Sequence, residues 1–180
     1  MPDLDSIDLS LLRELQNDAK MPLNRLGERV GLSAPSVMER IRKLEQAGVI
    51  KGYHAQVDGR QVGLDVSAFI GVSINSPSAI DVFETWVANE PEVLECHHVT
   101  GAHTLLLKVK ARNTRALEQL ISRIRFIQGV ERTETNVVLS THIERTAVAL
   151  GASDQGASEP PPPAPKRRRP RKGRAVTADG

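Results

Sequence analysis

Near residue 58 the hydrophobic spacing of this chain changes from a helical period to strand alternation, so the two halves must bury their apolar faces in different ways. Before that point, Leu4, Ile7, Leu11, Leu12 and Leu15 share one helical face over Leu4 to about Gln16, and Asp5 or Asp8 can cap it. Leu23, Leu26 and Val30 repeat the spacing behind Pro22, with Gly31 as a left-handed stop. Ser33 caps a third helix ending near Gly48, with Pro35 in its first turn and Val37, Ile41 and Leu44 inward beside Met38. Val49, Ile50, Tyr53 and Val57, interrupted by Gly52, predict a small β-ribbon. Three helices, a tight turn between the second and third, and a ribbon predict a winged helix-turn-helix over residues 1–58.

A linker is expected over 59–65 and a second domain over 66–148. Val66, Ala68, Ile70, Val72 and Ile74 alternate as a strand; Ile80, Phe83, Trp86 and Val87 follow on one helix face. VLECHHVTG and HTLLLKVKA, meeting at Gly101, read as a hairpin, and Leu117, Leu120, Ile121 and Ile124 as a helix capped by Asn113 or Thr114. Beyond Gly129, VERTETNVVLSTHI supplies a last strand. The order βαββαβ predicts a ferredoxin-like α+β domain with both helices on one sheet face. Alternation assigns Phe69, Val99, Leu106, Val137 and Leu139 to the other face, which a partner subunit is expected to cover.

Charge is divided unevenly. The last 30 residues hold seven Lys or Arg against three acids, while the first 150 hold 17 bases against 19 acids. Residues 149–180 contain a proline run and almost no large apolar side chain, and are predicted to be a disordered tail. Its KRRRPRKGR stretch, Lys166, Arg167, Arg168, Arg169, Arg171, Lys172 and Arg174, resembles an AT-hook without the Gly-Arg-Pro core. Such a cluster suits sequence-tolerant contact with phosphates and narrow minor grooves.

In the third helix, inward Val37, Ile41 and Leu44 leave Ser36, Glu39, Arg40 and Lys43 outward, with Ser33 and Pro35 at the amino end. Placed in a major groove of double-stranded DNA, Arg40 could donate to guanine, Glu39 could accept from cytosine, and the serines and Lys43 could hold phosphates. A solvated charged face is the plainer reading for an isolated amphipathic helix; the helix-turn-helix order favours DNA contact.

The stretch LDSIDLSLLRELQNDAKMPLNRLGERVGLSAPSVMERIRKLEQAGVIKGYHAQVD resembles the DNA-binding domain of the Lrp/AsnC feast/famine regulators. ECHHVTGAHTLLLKV and GVERTETNVVLS resemble the hairpin and last strand of their effector-binding domain. This resemblance implies a homo-oligomeric transcription factor, dimeric and often octameric, that binds an amino acid or related metabolite between dimers. It places an effector beside Gly101, Ala102, His103 and Thr104, with Thr133 and Thr135 facing from the last strand. The family hairpin usually reads Gly-Asp-Tyr-Asp; the hairpin here has no carboxylate, so an ammonium group would lose a charge-assisted bond there.

Cys96, His97, His98 and His103 are the only cluster of metal-ligand types, but alternation turns His97 away from its neighbours, so packed or interfacial histidines are expected instead of a metal site. No cofactor is expected. Neither a nucleophile elbow, a phosphate loop nor an HExxH motif occurs, which argues against an enzyme. No apolar run approaches the roughly 20 residues that span a bilayer, and the acidic start lacks a signal pattern. A cytoplasmic, nucleoid-associated regulator without membrane contact is the expectation, and an architectural DNA-binding protein without effector is the alternative.

Overall fold

Asp5 and Asp8 close a reciprocal capping box. The Asp8 N–H donates to Asp5 Oδ1 at 2.8 Å and the Asp5 N–H to Asp8 Oδ2 at 3.3 Å, starting α1 (Ser6–Asn17). The computed structural model describes residues 3–150, so the basic tail, Lys166 to Arg174 included, lies outside the described residues. α1 is followed by α2 (Leu23–Val30) and α3 (Ala34–Gln46). Gly31, at φ 72°, ends α2 in the left-handed region, and Ser33 caps α3. Leu11, Leu26 and Val37, one from each helix, form a buried core flanked by Ile7, Leu15, Met21, Val30, Leu32 and Ile41. Residues 147–150 belong to this unit. Val148 donates its N–H to Gln16 Oε1 at 2.7 Å and accepts from Gln16 Nε2 at 3.2 Å.

The expected ribbon does not form: residues 51–58 contain no strand. A ladder needs two strands exchanging backbone bonds, and no paired segment stands beside this one among the described residues. The helix-turn-helix therefore has no formed wing there. Within the expected linker, Asp58 caps a short 3-10 turn, Gly59–Val62, closed by Gly63 at φ 79°.

The second unit spans 48–146. It contains β1 (Val66–Ile74), α4 (Pro77–Val87), β2 (Val93–His98), β3 (Leu105–Ala111), α5 (Thr114–Arg125) and β4 (Val130–Val137), the expected βαββαβ order. The sheet order is β2-β3-β1-β4, antiparallel throughout. Phe83 of α4 and Leu117, Leu120 and Ile124 of α5 pack on Ala68, Ile70, Val72, Leu105, Leu107 and Val109, so both helices cover one sheet face. Trp86 packs with Phe83, ring centroids 6.0 Å apart, as a core residue.

Register decides what the other face carries. Ser67, Phe69, Gly71 and Ser73 of β1 share it with Leu106, Lys108 and Lys110 of β3, Glu95 and His97 of β2, and Arg132, Glu134 and Asn136 of β4. Val137 pairs with Ala68 and so shares the helix-covered face, contrary to expectation. Leu139 lies beyond β4, which ends at Val137 opposite Ala68, although the Val138 N–H still donates to the Ser67 carbonyl at 2.9 Å. The open face is thus mixed and charged around Phe69 and Leu106. The chain after β4 turns over it: Lys108 Nζ donates to Glu144 at 2.8 Å and Glu95 at 3.1 Å. A cleft of about 730 Å³ lies between Phe69, Lys110 and the Val138 to Glu144 segment.

Candidate nucleic-acid and effector sites

The α2–α3 turn is as tight as its glycines permit. A Cβ at Gly27 would lie 2.3 Å from the Leu32 carbonyl oxygen, and the Leu32 N–H donates to the Gly27 carbonyl at 2.9 Å. This turn sets α3 with Val37 and Leu44 buried and Ser33, Pro35, Ser36, Glu39 and Lys43 exposed. The four outward residues do not behave alike. Lys43 Nζ lies 2.9 Å from Glu39 Oε1, and this bond holds the Glu39 carboxyl below its ordinary range. Arg40 is turned inward: its Nη1 donates to Asp5 Oδ2 at 2.7 Å and Asp8 Oδ1 at 2.8 Å. Asp5 is held below its usual 3.8, first by the Asp8 N–H and then by Arg40, so it is charged throughout the neutral range. A shallow cleft of about 400 Å³ separates Ser36, Glu39, Arg40 and Lys43 from Asp3, Leu4 and Asp8. Met38 and Arg42, which helical spacing leaves off the groove face, are equally exposed.

The β2–β3 turn brings Gly101, Ala102, His103 and Thr104 back over β1. Gly101 takes φ 116°, the Thr104 N–H donates to the Val72 carbonyl at 2.9 Å, and Thr104 Oγ1 accepts from the Ile74 N–H at 3.1 Å. Only a glycine at position 71 leaves room for the imidazole of His103, since a Cβ there would lie 2.3 Å from its Cδ2. His103 Nε2 is 3.6 Å from Glu134 Oε2, and its Nδ1 is buried without a hydrogen-bond partner. Thr133 and Thr135 do not join this group. They pair with Val72 and Ile70 and so face the helices, where Thr133 Oγ1 accepts from Arg125 Nε at 2.8 Å. Alternation supplies Glu134 instead, so the carboxylate missing from the hairpin arrives from β4.

Cys96 faces the core, and burial, followed by nearby Glu84, pushes its thiol up, which keeps it protonated at neutral pH. Among the described residues no three His, Cys, Asp or Glu converge as a metal site. No helix among them is long and apolar enough to cross a membrane.

Comparison with known proteins matches residues 4–45 to the AsnC-type helix-turn-helix domain and residues 67–148 to the Lrp/AsnC ligand binding domain. The HTH-type transcriptional regulator FL11 of Pyrococcus horikoshii is 36% identical over 147 residues, which cover 82% of this chain and 97% of the relative. The chain belongs to the Lrp/AsnC family. Its fold matches that of the transcriptional regulator NMB0573 of Neisseria meningitidis, solved as an L-Met complex, at TM-score 0.78 and 30% identity, covering 82% of this chain and 97% of that one. A feast or famine regulatory protein of M. tuberculosis complexed with L-methionine matches at TM-score 0.76 and 36% identity, covering 81% and 99%. This Lrp/AsnC protein is a DNA-binding transcriptional regulator with a ligand-binding domain. Two glycines matter to this Lrp/AsnC chain beyond what hydrophobic spacing signals: Gly27 behind the turn and Gly71 beneath His103.

Proposed function

We propose that the chain is a sequence-specific transcriptional regulator that acts as a homo-oligomer of dimers, inserts α3 into the major groove, and is modulated by an amino acid or related metabolite beside the Gly101–Thr104 turn. The reading is carried by the exposed Ser36, Glu39 and Lys43 of α3, held behind the Gly31 turn. Ser33 and Pro35 at the amino end of α3 add phosphate and backbone contacts. The basic tail residues Lys166, Arg167, Arg168, Arg169, Arg171, Lys172 and Arg174 add sequence-tolerant contacts on the strength of their charge. A symmetric dimer presents two copies of α3 to half-sites about one helical turn apart, roughly 34 Å. Cytoplasmic, nucleoid-associated action without catalysis goes with this reading.

For an amino acid, the ligand class of the solved relatives complexed with L-methionine, Glu134 can accept from the ammonium group and a ring N–H of His103 can donate to the carboxylate. Selection of random-sequence duplexes by the full chain, followed by footprinting with and without L-methionine and other amino acids, tests the proposal. A discrete motif whose protection changes with one of the metabolites is the expected result. Uniform coating without a motif would replace the regulator by an architectural protein.

A further inference from the structure

We propose that Arg40 is a positioning residue, not a base reader: it fastens α3 to the amino end of α1 through Asp5 and Asp8, while Ser36, Glu39 and Lys43 face the DNA. This rests on the reading of α3 as the groove-entering helix.

The bonding is closed. Asp5 gives Oδ1 to the Asp8 N–H and Oδ2 to Arg40; Asp8 gives Oδ2 to the Asp5 N–H and Oδ1 to Arg40. All four carboxylate oxygens are engaged, two by the helix cap and two by a single guanidinium nitrogen. Asp8 is the more enclosed of the pair, its side chain 15% exposed against 49% for Asp5, and Arg40 at 31% is the least exposed of the four outward residues. Withdrawing Arg40 to a guanine would leave two carboxylates sharing one helix cap without a counter-charge, beside an approaching phosphate backbone. The guanidinium therefore gains more by staying, and its hold fixes the distance between the first turn of α1 and the middle of α3.

The test uses the full chain on duplexes carrying every single-base change of the motif selected by the wild type, or on a random-sequence duplex if selection yields none. The variants are Asp5→Asn/Asp8→Asn, Arg40→Ala, and the three combined. Asn caps helices as well as Asp, so the double variant removes charge and keeps α1. Thermal melts confirm folding. Both partial variants are expected to weaken binding by about fivefold at every duplex, with base preference unchanged, and the combination is expected to cost no more than either alone. Arg40→Lys, which keeps a cation between the carboxylates, recovers part of the loss. Tighter binding by Asp5→Asn/Asp8→Asn, relaxed preference at one base pair in Arg40→Ala, additive losses, or no loss at all would each overturn the proposal. Glu39→Ala/Lys43→Ala separately tests the groove reading: unchanged binding there defeats that reading, whereas unchanged binding in Asp5→Asn/Asp8→Asn defeats only this one.

Discussion

At the scale of single residues, the absence of a side chain determines both candidate sites. The His103 ring occupies the space that a Cβ on Gly71 would need, with Cδ2 at 2.3 Å and Cγ at 2.6 Å from the built position. Gly71→Ala is therefore expected to cost about 1 to 3 kcal/mol, because the ring must leave a packed position and its contact with Glu134. Denaturant unfolding measures the loss, and His103→Ala in the same chain should recover most of it. Equal losses with and without His103 would mean that the strain lies elsewhere. Neither contact is legible in the sequence, where Gly71 reads as a weak point in an alternating strand and His103 as a turn residue. Contacts between residues far apart in the chain carry no periodic signal.

At the scale of elements, periodicity and caps served well wherever one buried face and one local partner settle the structure. The five α-helices of the described residues follow the apolar spacing, and Asp5, Ser33 and Asn113 cap as their side chains predict. Alternation also places β1 and the hairpin. It fails over residues 49–58, where apolar residues suggest a strand that has no partner to pair with, and at the end of β4, where the predicted strand runs on past Val137. The same lack of a register inverted the faces of Thr133, Thr135 and Val137: alternation within one strand leaves the choice of inward face open until pairing fixes it. Arg40 shows a related limit, since helical spacing counts it outward without showing the α1 carboxylates it meets. The α2–α3 turn depends on Gly27 at least as much as on Gly31. Gly27→Ala would press a methyl group against the Leu32 backbone carbonyl, which can give way only by opening the turn. A loss of about 2 kcal/mol and a parallel fall in DNA affinity are expected, measured by thermal unfolding and duplex titration. Full DNA affinity in a folded Gly27→Ala chain would show that the turn tolerates opening.

At the scale of the whole molecule, the net positive charge comes from the last 30 residues, which hold seven bases against three acids, whereas the first 150 hold 17 against 19. If Lys166 to Arg174 neutralise five phosphates, they contribute roughly 0.9 × 5 to the log–log slope of affinity against salt. Deleting residues 160–174 should flatten that slope and leave the selected motif unchanged. A titration series in salt checks this, and an unaltered slope would exclude the tail from binding. Residues 147–150 belong to the first unit, and Val148 exchanges paired bonds with Gln16 of α1. During synthesis on the ribosome, α1 to α3 emerge early but lack their closing contact until the whole sheet has been translated. A nascent chain arrested before Val148 would carry all three helices with an unpaired Gln16, so the portion made first is the last to be completed.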